Sequence, residues 1–376
     1  MKINRYMFLT VAVFCLMITG TISAQEPEEL NDGIKTAEAK DAGISISKLI
    51  EMDSAIVRNE FKNITSILIA RDGKLVYEKY YNGFDKNSLH DTRSATKSIT
   101  SILIGLAIDN KFIPSEKTAV FQYFEKEYEI NNPDSRKNKI TIEDLLTMSS
   151  LLECDDGNMY SSGNEERMYL TEDYIKFALD LPIKGFPAWA QKPEETLYGR
   201  SFSYCTAGTV LLGGIIERST KMKVQEFADK FLFSPLGITN YQWQITPTGL
   251  PMTGGGLRLS SRDFMKLILL CSQKGLWNDK QIISNDWIVK STTPHSDVRE
   301  NTDYGYLFWL EKFGAGDPKY SAYYMTGTGG SKIAVFPNLN LKVVITSNWY
   351  GGRGKAHEQS RNILNKFILP AIGKLD

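Results

Sequence analysis

Ser94 and Lys97 stand three residues apart in Thr92-Arg93-Ser94-Ala95-Thr96-Lys97-Ser98, at the entrance to an apolar run from Ile99 to Ile108. On a helix that spacing puts both side chains on one face, where a lysine amine can exchange a proton with a serine oxygen. Such a pair makes serine a nucleophile toward an acyl carbon. The same serine has a plainer reading as a helix N-cap. Caps are usually followed three residues on by Glu or Gln, which suit the positive end of the helix dipole. Here that place holds Lys97, with Arg93 beside the serine, so the cations either face solvent or are held for a task. A second Ser-x-x-Lys, Ser45-Ile46-Ser47-Lys48, shows that the spacing alone decides nothing. Context separates them: the run after Ser94 is apolar all round a 3.6-residue helix, and the run after Ser45 keeps a polar face.

Two later segments carry related chemistry. Phe202-Ser203-Tyr204-Cys205-Thr206-Ala207-Gly208 sets a tyrosine before the apolar run Val210 to Ile216, a position where core packing is the ordinary role. Met325-Thr326-Gly327-Thr328-Gly329-Gly330-Ser331 sets glycines and threonines between two strand patterns, and glycine there lets a backbone approach a ligand closely. His90, His295 and His357 are the chain's three histidines. They come without a Gly-x-Ser-x-Gly elbow, a His-Glu-x-x-His pair or cysteines at zinc spacing, which argues against a Ser-His-Asp hydrolase and against a metal site. No cofactor is expected. The acidic loop Glu153, Asp155, Asp156, Glu165 and Glu166 reads either as a solvated face or as a receiver for a cationic substrate group.

Taken in order, these segments resemble the serine β-lactamase and penicillin-binding-protein superfamily on its class C and esterase-like side. Ser94-Ala95-Thr96-Lys97 matches Ser-x-x-Lys, Tyr204-Cys205-Thr206 falls where the family has Tyr-x-Asn, and Thr326-Gly327-Thr328 falls where it has Lys-Thr-Gly-Ser. Ile140 to Ser150, Leu232-Phe-Ser-Pro-Leu-Gly-Ile, Gly254 to Asp263 and Tyr304-Gly-Tyr-Leu-Phe-Trp add supporting matches. The resemblance implies that Ser94 forms an acyl-enzyme, with Lys97 and Tyr204 moving the proton and Arg93, if it faces inward, repelling the Lys97 charge. It implies an oxyanion hole from the N–H groups of Ser94 and Thr328, and substrate contacts at Thr206, Thr326 and Gly327. Met325 replaces the family's carboxylate-binding lysine and Thr206 its amide-binding asparagine, which disfavours β-lactams. The run Gly327 to Pro337 resembles the esterase and 6-aminohexanoate-dimer hydrolase branch. The expected activity is therefore hydrolysis of small esters or amides, with β-lactamase or DD-peptidase-like activity, or an idle acyl-binding sensor, as alternatives.

Composition fits a small-molecule partner. The 376 residues carry 44 basic and 44 acidic side chains with 42% apolar content, enough for a sizeable core and without the basic footprint of a nucleic-acid binder. Lys2, Arg5, the apolar stretch Met7 to Gly20 and Thr21-Ile22-Ser23-Ala24 read as a signal peptide over residues 1–24, too short for a stable membrane anchor. A periplasmic or secreted mature chain follows. In that oxidising setting Cys154 and Cys205, which adjoin the site segments, are expected to pair and leave Cys271 buried; three buried thiols are the alternative.

The elements that must position these groups are strands at both ends of the chain around a helical block. Residues 25 to 43 read as a poorly ordered lead-in, and Ser47 as the cap of a helix to Phe61 with Ile50, Ile56, Val57 and Phe61 inward. Thr65–Ala70 and Lys74–Tyr81 read as a hairpin on Asp72-Gly73. Later strands are expected over Tyr304–Leu310, Ser321–Thr326, Ser331–Phe336 and Lys342–Ser347, with helices over Ser261–Lys274 and His357–Phe367. The expected fold is α+β: an antiparallel β-sheet flanked by helices, with an inserted mostly helical subdomain. One catalytic domain over 25–376 combines an α/β part, about 44–125 and 250–376, with a helical insertion over about 126–249.

Overall fold

A computed structural model describes residues 27–314, 316 and 319–373. The expected signal peptide lies outside the described residues. Nine strands form the main sheet: β1 (Lys35–Thr36), β2 (Ile64–Arg71), β3 (Lys74–Tyr80), β4 (Ser296–Arg299), β5 (Thr302–Tyr304), β6 (Trp309–Phe313), β7 (Tyr320–Gly327), β8 (Ser331–Phe336) and β9 (Leu341–Ser347). Their spatial order is β1-β3-β2-β9-β8-β7-β6-β5-β4. Only the β1–β3 pair in this sheet is parallel. The β2–β3 hairpin turns on Asp72 (φ 49°) and Gly73 (φ 80°), two left-handed residues whose twist suits adjoining antiparallel strands.

Both faces of the sheet are covered, so its central strands are apolar on alternate and intervening residues alike. Leu68, Ala70, Ile333 and Val335 enter one core, and Ile67, Ile69, Ala334 and Phe336 the other. The second core is closed by α1 (Ile46–Val57) and α5 (Gly354–Ile363). The first is closed by α2 (Thr96–Asp109) and α4 (Ser261–Ser272), with α3 (Thr206–Thr220) packed beyond α2. Every residue of α2 from Thr96 to Ala107 is buried, as the pattern after Ser94 predicts. Gly105 explains itself here: a Cβ would stand 2.3 Å from the Trp287 indole, whose Nε1–H donates to the Ser101 carbonyl at 3.0 Å. The arrangement is the expected α+β one, a sheet flanked by helices, with β1–β3 as its parallel pair.

Several boundaries differ from expectation. The lead-in supplies β1 and buries Ile34, so it belongs to the sheet edge. Helix α1 starts at Ile46 with Ser45 as its cap, and Leu49 and Met52 are buried in place of the exposed Val57. The second Ser-x-x-Lys is thus an N-cap, the Lys48 N–H donating to Ser45 Oγ at 3.3 Å. The strand expected over Tyr304–Leu310 is broken between β5 and β6. Gly305 passes so close to Ser291 that a Cβ would lie 2.2 Å from its carbonyl oxygen, and Leu307 turns left-handed at φ 60°. Helix α5 begins at Gly354, three residues before His357, and continues as a wider turn over Leu364–Ile368.

Candidate active site

The chain turns sharply before α2. Arg93 is left-handed at φ 52°, a single 3₁₀ turn covers Arg93–Ala95, and the α-helix proper begins at Thr96. Ser94 therefore stands on the turn that leads into the helix. Lys97, 1% exposed, donates from Nζ to Ser94 Oγ at 3.0 Å and to the Gly254 carbonyl at 2.6 Å. The second bond fixes the amine against the serine from the segment that returns the chain toward α4. Arg93 does not face inward: it is exposed, lies over the Tyr350 ring at 4.6 Å and pairs with Asp91 at 3.4 Å. Solvent and Asp91 take up its charge, so the expected repulsion on Lys97 does not apply.

Tyr204 closes a second side of the Lys97 amine, which sits 5.0 Å from its ring centroid. Trp309 stacks on the tyrosine at 5.7 Å, and Tyr304 meets it edge-on at 6.5 Å. The break between β5 and β6 makes this possible by setting Tyr304 and Trp309 around one short excursion. On the backbone side, Asp156 N–H donates to the Tyr204 carbonyl at 2.9 Å and Ser203 Oγ–H to the Cys154 carbonyl at 2.6 Å. Cys154 and Cys205 form the expected disulfide, and the remaining Cys271 is buried, its thiol pushed up to about 12 by burial. The bridge closes a loop with a sequence separation of 51 residues, for which chain entropy gives about 4 kcal/mol. A Cys154→Ser/Cys205→Ser double variant is expected to unfold that much more easily in urea, and reductant should weaken the wild type but not the variant. Equal midpoints in all four samples would contradict this.

The third segment comes from β7. At Gly327 a Cβ would lie 2.0 Å from the Thr92 carbonyl oxygen and 2.6 Å from Ser94 N, so only glycine lets the strand end press against the serine. Thr328 follows, exposed. Among the described residues, neither the Ser94 nor the Thr328 N–H donates to a backbone carbonyl outside regular elements. Thr326 and Thr206 are placed differently. The Thr326 hydroxyl donates to the Ser331 carbonyl at 2.6 Å and lies 3.4 Å from His357 Nδ1, while Met325 is fully buried in the α2-side core. The Thr206 hydroxyl donates to Glu165 Oε2 at 3.1 Å and its N–H to Asp156 Oδ2 at 2.7 Å.

The acidic loop divides accordingly. Glu166 is exposed, but Asp156 is turned into the site and also accepts the Glu165 N–H at 3.0 Å. Burial pushes its carboxyl up to about 6, with Glu165 adding to the rise and Lys97 and the Thr206 contacts opposing it. Charge pattern alone gives no reason to separate Asp156 from its neighbours. Among the described residues no group of three or more His, Cys, Asp and Glu side chains is set to hold a metal ion.

A buried Ser-x-x-Lys turn, a tyrosine above it and a strand end pressed on the serine define the class of serine β-lactamase-like and penicillin-binding-protein-like folds. The Beta-lactamase family pattern matches residues 64–366, and the chain belongs to that family. A 6-aminohexanoate-dimer hydrolase of Paenarthrobacter ureafaciens is 22% identical over 257 residues, 64% of this chain, and the chain spans about 60% of that relative's length. Among solved structures, a Bacillus anthracis protein described as a candidate 6-aminohexanoate-dimer hydrolase superposes with a TM-score of 0.69 at 17% identity, covering 93% of this chain and 92% of that one. The octameric penicillin-binding protein homologue from Pyrococcus abyssi gives 0.62 at 21% identity, covering 86% and 78%.

Proposed function

We propose that this protein is a serine hydrolase that cleaves small esters or amides through an acyl-enzyme on Ser94. The observation that carries the reading is the Lys97 amine, buried, 3.0 Å from Ser94 Oγ and anchored on the Gly254 carbonyl. In the first step Ser94 Oγ attacks the carbonyl carbon while its proton passes to the Lys97–Tyr204 pair. The N–H groups of Ser94 and Thr328 hold the developing oxyanion. Tyr204 then delivers the proton to the leaving alkoxide or amine, and water repeats the sequence on the acyl-enzyme. Of the three expected substrate contacts, Gly327 is held against Ser94. The hydroxyls of Thr206 and Thr326 already have partners, so a substrate meets the backbone there. Met325 offers no charge to a β-lactam carboxylate, and the 6-aminohexanoate-dimer hydrolase likeness supports an amide or ester. Export through a cleaved signal peptide would place the reaction in the periplasm or outside the cell.

Steady turnover of p-nitrophenyl acetate tests this. Ser94→Ala is expected to lower kcat/KM by roughly 10³-fold or more. Equal rates for wild type and variant would remove Ser94 from the mechanism. A single burst without turnover would point to an acyl-binding module, and efficient nitrocefin hydrolysis to a β-lactamase.

A further inference from the structure

We propose that Asp156 is a positioning residue for Tyr204, and that its ionised carboxylate is what holds the tyrosine segment in working register over Lys97. The inference rests on the serine hydrolase reading above.

Asp156 grips Tyr204-Cys205-Thr206 from both sides. Its N–H donates to the Tyr204 carbonyl at 2.9 Å, and its Oδ2 accepts the Thr206 N–H at 2.7 Å. Its Oδ1 accepts the Glu165 N–H at 3.0 Å, which ties the grip to the next turn of the loop. The disulfide between the neighbouring residues Cys154 and Cys205 fixes the same two strands of chain against each other. A carboxylate has acceptor capacity on both oxygens, whereas a protonated carboxyl spends one oxygen as an O–H donor. Protonation therefore weakens one of the carboxyl's two backbone contacts, to the Thr206 N–H at the α3 start or to the Glu165 N–H in the loop. The groups that face Asp156 are Lys97 from α2, Thr206 from α3, and Glu165 and Tyr169 from the acidic loop. Lys97 favours the ionised form, and Glu165 and burial oppose it. Asp156 thus meets the candidate base across the site without touching the reacting atoms.

Activity and stability should respond to this carboxyl in opposite directions. Hydrolysis by the wild type is expected to rise with pH through a limb near 6, where Asp156 ionises. Stability runs the other way. The folded carboxyl titrates above its unfolded value of about 3.9, so the wild type should lose stability relative to Asp156→Asn as pH rises from about 4 to about 6. A purely structural acid with the same raised carboxyl would show the same stability change and no acidic limb in kcat.

The test is the pH profile of p-nitrophenyl acetate hydrolysis by the full chain, with thermal melts at each pH. Asp156→Asn is expected to lower kcat by roughly 10- to 100-fold through misplacement of Tyr204, with KM changed by less than about threefold and the acidic limb gone. Glu165→Gln, which keeps the loop's backbone contacts and removes one repulsive charge, is expected to move the limb to lower pH. An Asp156→Asn enzyme with wild-type kcat, or one that retains the limb, overturns the proposal. So does a Glu165→Gln limb that stays in place, and this variant decides the matter if Asp156→Asn does not fold. A wild type that fails to hydrolyse the ester overturns the hydrolase reading itself, an outcome distinct from an active wild type that is indifferent to Asp156.

Discussion

Lys97→Met is expected to fold and to melt within a few degrees of the wild type, yet to hydrolyse p-nitrophenyl acetate roughly 10³-fold more slowly or worse. Methionine is close to lysine in length, and the Lys97 side chain lies 1% exposed among apolar residues of α2, so packing is retained. Two energetic effects oppose each other. The Gly254 carbonyl loses its donor, which costs about 1–3 kcal/mol, while the desolvation of a buried amine is relieved by a similar amount. The proposed chemistry has no such compensation, because it needs the amine 3.0 Å from Ser94 Oγ to take the serine proton. Side-by-side melts and kinetics check the expectation. A variant that keeps more than about a tenth of the activity would move the base elsewhere in the site.

The second large effect is expected at Gly327. Adding one methyl group there, Gly327→Ala, puts a carbon 2.0 Å from the Thr92 oxygen and 2.6 Å from Ser94 N. Both neighbours are backbone, so neither can swing aside as a long side chain would. The strand end must retreat, and Thr328 retreats with it. Since a shift of about 1 Å at a reacting centre can cost around 10²-fold, kcat should drop by at least that much while α2 and the far sheet remain intact. Hydrogen exchange should show the disturbance confined to residues 92–98 and 325–331. Normal kcat in Gly327→Ala would mean that Thr328 has no part in holding the oxyanion.

Much of this architecture was legible because local chemistry and tertiary demand agree. The Asp72-Gly73 turn, the apolar run inside α2 and the Ser260-capped α4 each obey a rule that operates over a few residues. The misreadings arose where distant partners override local pattern. Tyr304–Leu310 has the composition of one strand, but Ser291 and Leu146 reach its middle and break it: the Tyr306 N–H donates to the Ser291 carbonyl and the Leu307 N–H to the Leu146 carbonyl. Ser45 and Ser94 carry the same four-residue spacing; the apolar run after Ser94 hints at the difference, but the Gly254 carbonyl that anchors Lys97, 157 residues away, is a partner no local pattern names. Asp156 belongs with them, since nothing in a run of acids says which one turns inward.

The order of strands also has a kinetic side. β2 is flanked by β3, its sequence neighbour, and by β9, so that Leu341 pairs with Arg71 and Ser347 with Ile64. Until β9 arrives, the early hairpin presents an unpaired edge and two apolar faces, the kind of surface that recruits other chains. Loops this long are slow to close. Folding yield should therefore be limited by docking of β9, and a peptide that caps the β2 edge should act as a refolding inhibitor while leaving the finished protein untouched.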